Sequence, residues 1–260
     1  TKAGWWKDAL CLFDELESRG LYPTNATDTI VFMACAQGGY WQRALELFDE
    51  MKMRGFSANG YSYSSLIGAC EKGCQWRIAL DLLRESQEIG VQATPYIYNP
   101  VISACASAGQ WKIGLQLLRE MQEEKSIKVD VISYNASMNC CKLDGKVDIV
   151  TMLLDEMIES GLTPDTYTFT AAIMTCEKDA KWELAIELLE KMKHIGLARV
   201  SNVPYHAAMK ICTEAGRLDA ADRIFQDMLE IGVEADYCSY GTLMLAYLQR
   251  RDNSTVVSLF

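Results

Sequence analysis

The stretch WQRALELFDEM at residues 41–51 decides the fold, because the chain repeats it at a fixed interval. Residues 76–85 read WRIALDLLRE and residues 111–121 read WKIGLQLLREM, so each copy begins 35 residues after the previous one. Within a copy the apolar residues fall at positions i, i+3, i+4, i+6, i+7 and i+10, which lie on one face of an α-helix. A fixed period of about this length is the sequence signature of a repeat architecture.

Other residue types keep the same interval along the chain. The tryptophan series is Trp6, Trp41, Trp76 and Trp111, and Val147, Trp182 and Leu218 continue it. The methionine position is held by Met51, Ser86, Met121, Met157, Met192 and Met228. Glycine follows four residues later at Gly20, Gly55, Gly90, Gly161, Gly196 and Gly232, with one slot missing near Lys125, where a residue is inserted. Glycine at this place predicts the end of a helix.

A second helical pattern lies upstream of the first in each period. Its clearest copies are YSYSSLIGACEKG (61–73), YIYNPVISACASAG (96–109) and YTFTAAIMTCEKD (167–179). Small residues at its centre, including Ala69, Ser103 and Ala104, would let a neighbouring helix approach closely. Each period therefore predicts a pair of helices.

The predicted fold is an all-α solenoid, in which stacked helix pairs bury a continuous core and each pair contacts its neighbours. No linker or low-complexity segment divides the chain, so we expect one array over residues 1–260. We place full repeats at 25–59, 60–94, 95–130, 131–165, 166–201 and 202–236, with partial repeats at 1–24 and 237–260.

Hydropathy, net charge and cysteine content disfavour several classes of function. No apolar run approaches the 18 residues of a membrane span, so we expect no membrane insertion. The sequence starts at Thr1 without a signal-peptide pattern, so we expect any targeting segment to be removed or not included. The net charge of -10 argues against unspecific nucleic-acid binding. Ten cysteines in a chain of 260 residues indicate a reducing compartment or an organelle interior rather than a disulfide framework.

The repeat resembles the pentatricopeptide repeat family. Three motifs carry this resemblance: Y-N near the start, A-L-x-L-x-x-E-M in the second helix and P-D at the end. Residues 131–165 carry this pattern as VISYNASMNCCK followed by LLDEMIESGLTPD, and six reiterations cover essentially the whole chain. The tetratricopeptide family has a period of 34 residues and a W-x-x-L-G-x-x-Y pattern, which is absent here. The resemblance implies a right-handed α-solenoid superhelix.

The resemblance also implies a function: binding of single-stranded RNA, one base per repeat, in a mitochondrion or chloroplast, to steer processing, stability, editing or translation. In the family the base is read by the fifth residue of the first helix and the last residue of the repeat. The corresponding pairs here are Thr29 with Asn59, Ser64 with Thr94, Asn99 with Asp130, Asn135 with Asp165, Thr170 with Val200 or Ser201, and His206 with Asp236.

By resemblance to the family code, the Thr29 pair favours A and the two Asn/Asp pairs favour U, which gives 5′-A-x-U-U-x-x-3′. The other three pairs depart from the usual combinations. The residues that would sandwich the bases are Ala26, Tyr61, Tyr96, Ile132, Tyr167 and Val203. Lys72 and Lys178 occupy the family's phosphate-contacting slot, which holds Gln37, Ser107, Leu143 and Glu214 in other repeats.

Each of these features has a plainer interpretation. The cysteines at 35, 70, 105, 141, 176 and 212 keep the repeat interval and are predicted to be small buried packing residues rather than metal ligands. The repeat-end residues are good helix N-caps. The tyrosines at 61, 96 and 167 could pack between repeats.

A protein–protein scaffold is the alternative function, for example a structural subunit of an organellar ribosome or membrane complex. Most acidic residues lie in the second helices, which form the outer convex wall in the family, while first helices carry few cations. That acidic face could bind a basic protein. An enzyme is disfavoured, because the sequence has two histidines and no phosphate-binding loop, nucleophile elbow or deaminase zinc motif. We expect no cofactor and no metal.

Overall fold

The computed structural model describes residues 5–21, 23–124 and 126–249, and all regular secondary structure in these ranges is α-helical. The chain divides into two compact units, residues 1–140 and 141–260. The helices that begin in the first unit are α1 (Trp5–Ser18), α2 (Asn25–Gly38), α3 (Trp41–Met53), α4 (Gly60–Lys72), α5 (Trp76–Glu88), α6 (Pro95–Ser107), α7 (Trp111–Glu123) and α8 (Val131–Lys142). This confirms the predicted all-α class.

The second unit continues the alternation of first and second helices. Its helices are α9 (Val147–Glu159), α10 (Thr166–Thr175), α11 (Trp182–His194), α12 (Val203–Glu214), α13 (Leu218–Ile231) and α14 (Tyr237–Gln249). Across the described ranges, no helix is both long enough and apolar enough to cross a bilayer.

The second helices end where the glycine series predicts. In α3 the repeated pattern buries Ala44, Leu47, Phe48 and Met51 on one face. The glycine four residues after that methionine has φ +80°, a left-handed conformation that glycine adopts without strain. The apolar face and the glycine stop together define the second helices that carry both, whereas α7 ends at Glu123 without a glycine.

First helices pack on first helices of the next repeat. In the first unit α2 contacts α4 and α4 contacts α6, and each also contacts its own second helix. In the second unit the same relation links α10, α12 and α14. Ala69 and Ala104 are fully buried in these contacts, as the small residues of the pattern predict.

The tryptophan of a second helix covers the turn of the following repeat. A Cβ at Gly73, the residue that follows α4, would lie 2.2 Å from Cδ1 of Trp41. The missing side chain at Gly73 is therefore what lets the indole approach, and a repeat docks on its neighbour through this contact.

The cysteine series is part of the packed interior. Cys35, Cys70, Cys105, Cys141, Cys176 and Cys212 are all buried and free. Burial raises the pKa of each of these thiols to about 11, so they are protonated and poorly reactive at neutral pH. The packing interpretation of this series therefore fits the structure better than a ligand series.

Candidate nucleic-acid interface

The residue three positions before each candidate base-reading residue is exposed. Tyr61 and Tyr96 retain 78% and 80% of their accessible surface, and Tyr167 retains 56%. Ile132, Val203 and Ala26 are exposed at the same position. The high exposure of Tyr61 and Tyr96 disfavours the interpretation that these two side chains pack between repeats. We call these six the platform residues, because flat or apolar groups in this position can support a nucleobase.

The Asn99 amide is held at one end and unpaired at the other. Its Nδ2 donates to Oδ1 of Asp130 at 3.5 Å. Its Oδ1 is buried and has no hydrogen-bond partner among the described residues. A buried acceptor without a donor is costly, so this oxygen is suited to receive a hydrogen bond from a ligand.

Ser64 occupies the same position one repeat earlier, but its hydroxyl is already engaged. Ser64 Oγ donates to the backbone oxygen of Tyr96 at 2.9 Å. That carbonyl would normally accept from the backbone nitrogen four residues later, which belongs to Pro100 inside α6 and carries no hydrogen. The serine hydroxyl therefore replaces a hydrogen bond that the proline removes.

Thr170 is also engaged, within its own helix. Its Oγ1 donates to the backbone oxygen of Thr166 at 2.7 Å. Of the two repeat-end residues considered for this pair, Val200 is exposed and Ser201 accepts from the backbone nitrogen of Val203 through its Oγ. Among the described contacts, Thr170 therefore has no hydrogen bond to its repeat-end residue like the one from Asn99 to Asp130.

Asn135 and Thr29 complete the fifth positions in the first unit. Asn135 is 6% exposed in α8, and Thr29 is half-buried in α2. Both side chains lie on helices whose second residue is exposed. The two predicted uracil readers, Asn99 and Asn135, thus share the same helix position and a largely buried amide.

His206 in α12 is fixed by the helix that follows. Its Nε2 lies 3.0 Å from Oγ1 of Thr242 in α14. The Thr242 hydroxyl also lies 2.8 Å from the backbone oxygen of Cys238, to which it donates. Because the threonine has one hydrogen to give, its oxygen acts as the acceptor toward His206. The hydrogen of the imidazole is thereby placed on Nε2.

Most repeat-end residues cap the next first helix. Asn59 accepts from the backbone nitrogen of Ser62 at 3.0 Å, and Thr94 makes no side-chain capping bond. The three aspartates, Asp130, Asp165 and Asp236, each accept from both the backbone nitrogen and the hydroxyl three residues later. Capping by Asp130 does not exclude a contact with the candidate base reader, because its Oδ1 accepts from Ser133 and also from Nδ2 of Asn99.

The environment of the Asp236 carboxylate favours its charged form. The hydrogen bond from the backbone of Ser239 is the main cause that lowers the pKa of Asp236 below its usual range, and His206 adds to the shift. The side chain is therefore an anion and a hydrogen-bond acceptor at neutral pH.

The two lysines of the phosphate slot point to backbone oxygens of the preceding repeat. Lys72 Nζ donates to the carbonyl of Gln37 at 3.2 Å, and Lys178 Nζ donates to that of Leu143 at 3.1 Å. Asp144 is a further 3.7 Å neighbour of Lys178. Both acceptors lie near the C-terminal end of a first helix, where carbonyls lack helical partners. These lysines therefore join consecutive repeats.

The described residues hold no group of three or more His, Cys, Asp or Glu side chains that could bind a metal ion. Lys210, another first-helix cation, is paired with Glu177 at 2.6 Å, and this hydrogen bond is the main cause that raises the pKa of Lys210.

Two functional contacts were not anticipated from the sequence. The role of Pro100 in engaging Ser64 has a sequence signal, because a proline inside a helical pattern frees the carbonyl four residues earlier. The Thr242 contact with His206 has a weaker signal, since it requires knowing that α12 and α14 are adjacent. Both contacts decide what the fifth residue can still bind.

Comparisons with known proteins place this geometry in a family. A model of the pentacotripeptide-repeat region of PRORP matches residues 68–231, and two further PPR repeat models match residues 34–72 and 1–21. The crystal structure of the pentatricopeptide repeat protein PPR10 from maize is 24% identical, with a TM-score of 0.72 over 94% of this chain and 35% of that chain. The chain therefore spans about a third of the length of that structure.

A second similar structure is the PPR domain of protein-only RNase P 1 from Arabidopsis thaliana in complex with tRNA. It is 15% identical, with a TM-score of 0.58 over 69% of this chain and 94% of that domain. PPR10 in complex with an 18-nucleotide psaJ RNA element is 17% identical, with a TM-score of 0.57 over all of this chain and 42% of that one. Curated protein sequences give no match. With a family model covering more than half of its residues, the chain belongs to the pentatricopeptide repeat family.

Proposed function

We propose that this chain binds single-stranded RNA sequence-selectively through one array of repeats with the boundaries given above, each pairing a platform residue with a base-reading pair. In this proposal the array acts in RNA processing, stability, editing or translation. The observation that carries the proposal is the Asn99 amide, which Asp130 holds by its nitrogen while its oxygen is buried without a described partner.

The orientation of the Asn99 amide favours uracil. Asp130 binds the nitrogen, so the oxygen is presented to the ligand as an acceptor. Uracil offers a donor, N3–H, at the middle of its Watson–Crick edge, whereas cytosine offers a lone pair there and would repel the amide oxygen. A purine is longer by one ring and would not fit the same distance. The Asn135 pair has the same residue types and is proposed to read uracil in the same way.

The platform residues support the same proposal. A tyrosine exposed at about 80%, such as Tyr96, has a face free to stack on a base, and such stacking is worth about 1–3 kcal/mol per base. Two of the similar structures are complexes with an 18-nucleotide RNA element and with tRNA, so RNA is the ligand class in both. We transfer only this ligand class to the chain.

The test is binding of the 260-residue chain to labelled single-stranded RNAs, measured by fluorescence anisotropy. One RNA contains A-x-U-U-x-x, and its partner has both uracils replaced by cytosine. We expect the first to bind about tenfold or more tightly, since one good base contact discriminates by about 1–3 kcal/mol. Equal affinity for the two RNAs would reject base reading, and no binding to either at low salt would reject the RNA function.

We further propose that the array performs no catalysis and works in a mitochondrion or chloroplast. The first part rests on the buried, protonated cysteine series and the paired first-helix lysines, which leave stacking and hydrogen bonding as the available chemistry. The second part rests on the family resemblance. One similar structure is a nuclear enzyme, PRORP2 from A. thaliana, so the compartment needs its own test by imaging a fluorescent fusion of the protein.

A second candidate function is a scaffold for a basic protein, and α9 is the observation that favours it. This helix carries Asp148, Asp155, Glu156 and Glu159 and no lysine or arginine. These acids line an open groove of about 500 Å³, and Asp148 keeps 96% of its side-chain surface although Lys181 lies 3.7 Å away. Reversal of Asp148 and Asp155 to lysine separates the two functions, because it would abolish binding of a basic partner and leave RNA affinity unchanged.

A further inference from the structure

The C-terminal end of α11 is tied to both helices of the following repeat. Nζ of Lys193 lies 3.1 Å from Oδ2 of Asp227 in α13 and 5.9 Å from the ring centre of Tyr205 in α12. The lysine side chain is only 15% exposed, so these contacts are weakly screened by solvent. We call Lys193, Asp227 and Tyr205 a clamp, because one side chain of a second helix holds both helices of the next repeat.

The first unit has polar contacts at the same helix positions. Lys52 of α3 pairs with Glu85 of α5, and Oε1 of Glu85 also accepts from the hydroxyl of Tyr63 in α4 at 2.8 Å. One repeat later, Gln87 Nε2 donates to the hydroxyl of Tyr98 in α6 at 2.7 Å. Hydrogen bonds weaken steeply when their distance and angle change, so these contacts restrain the movement of one repeat against the next.

The junction from α9 to the following repeat is apolar at these positions. By the repeat interval, Ile158 of α9 holds the position of Lys193, and Phe169 of α10 holds the position of Tyr205. Neither side chain has a hydrogen-bonding atom. Phe169 is buried, but Ile158 remains 46% exposed. Apolar attraction is non-directional, so it permits the two helices to slide while they stay in contact.

The acidic position of the clamp is also changed at this junction. Lys191 of α11 stands where Asp227 stands in α13, and it pairs with Glu187 of its own helix at 3.5 Å. Asp155 of α9 is exposed and makes no ion pair with another described residue. The ion pair that joins α11 to α13 therefore has no counterpart from Asp155 or Lys191 between α9 and α11.

The other ends of these helices, near the turns inside the repeats, remain joined. Nζ of Lys181, the residue before α11, lies 3.7 Å from Oδ1 of Asp148 at the start of α9. Lys178 donates to the Leu143 carbonyl at 3.1 Å, which ties the same two turns. A junction that is held at one end and lacks a clamp at the other can open by rotation about the held end.

We propose that the junction between α9 and α11 is a compliant joint within the second unit. At this joint the C-terminal ends of the two second helices separate and approach more freely than those of α11 and α13. The joint is a property of the free chain, so it goes beyond the proposed RNA function and does not depend on it.

The test measures the distances between pairs of nitroxide labels by dipolar electron paramagnetic resonance on the 260-residue chain. Glu159, His194 and Glu230 occupy the same exposed position in α9, α11 and α13. Glu159→Cys with His194→Cys reports on the joint, and His194→Cys with Glu230→Cys is the matched control across the clamp. Buried thiols react poorly. The thiols that could compete for the label are first replaced by serine: Cys11, Cys74 and Cys238.

We expect a broader distance distribution across the joint than across the clamp. Ile158→Gln with Phe169→Tyr supplies the residue types of the Gln87 and Tyr98 contact, and it should narrow the first distribution to the width of the control. Lys193→Ile removes the cation of the clamp and should broaden the control distribution. Circular dichroism should show unchanged helix content in each variant.

Equal widths for the two label pairs in the chain with its own junction residues would overturn the joint, and this comparison needs no substitution in the core. A control width that Lys193→Ile leaves unchanged would overturn the clamp as the cause of the difference.

Discussion

The repeats that contain Ser64 and Asn99 are neighbours in the first unit, and their fifth residues differ in what remains free to bind. Ser64 gives its one hydrogen to the Tyr96 carbonyl, whereas Asn99 gives a hydrogen to Asp130 and keeps an unpaired oxygen. The difference arises from Pro100, one residue after Asn99, which creates the acceptor that Ser64 satisfies. The fifth residue of a repeat can therefore be engaged by a backbone carbonyl of the next repeat, which leaves its hydrogen unavailable to a ligand.

The largest loss of RNA affinity should come from substituting Asn99, whose side-chain oxygen has no hydrogen-bond partner among the described residues. We expect Asn99→Ala to lower affinity for U-U RNA about tenfold, because both the base contact and the bond to Asp130 are lost. Ser64→Ala is the matched control, with an expected change below about twofold. Anisotropy titrations of both variants test the comparison, and equal losses would show that Ser64 also reads a base.

The second expected effect is on the free energy of unfolding, and it tests whether Ser64 has a structural role that Asn99 lacks. Ser64→Ala should lower the free energy of unfolding by about 1 kcal/mol, because the Tyr96 carbonyl loses its donor. In the double variant Ser64→Ala with Pro100→Ala, the restored backbone N–H should recover part of this loss. Urea denaturation of the single and double variants measures the coupling. Strictly additive changes would contradict the proposed replacement of one bond by the other.

A smaller effect should follow from Asp130→Asn. Asparagine caps a helix about as well as aspartate, so the unfolding free energy should change by a few tenths of a kcal/mol at most. The amide can present its own hydrogens to Asn99 and permits the reader to turn, so the preference for uracil over cytosine should fall about threefold. Competition binding with the two RNAs measures that ratio. An unchanged preference would mean that Asp130 serves only as a cap.

The smallest effect on RNA binding is expected for Lys72→Met. The lysine donates to the Gln37 carbonyl, so its loss should reduce stability by less than about 1 kcal/mol and change RNA affinity less than twofold. If Lys72 serves the Gln37 carbonyl rather than a phosphate, the slope of log affinity against log salt should stay the same. A slope reduced by about one would show instead that Lys72 contacts a phosphate.

Much of the fold was predictable because the information is local and repeated. The 35-residue interval, the apolar face of residues 41–51 and the glycine that follows most of the periodic methionines predicted the helix pairs, their ends and their packed faces. Ala69 and Ala104 were predictable contact points for the same reason. Six copies of one pattern reduce the ambiguity that a single copy would leave.

The candidate site was predictable only in part. Residue positions follow from the repeat, so the exposure of Tyr61 and Tyr96 and the capping by Asp130 agree with their place in the pattern. The state of each hydrogen-bonding group depends on contacts between repeats, and these are set by residues about 30 positions away. Ser64 with Tyr96, and His206 with Thr242, are such contacts.

In the proposed function, the number of repeats with an exposed platform residue limits how many RNA bases these residues can distinguish. In the proposed function each repeat binds one base, so a reader of six positions with three assigned bases would match by chance roughly once in 64 sites. A transcriptome offers far more competitors than that, and selectivity then depends on affinity ratios multiplied by site number. In the proposed function, these platform residues would enrich a class of transcripts that share the assigned bases.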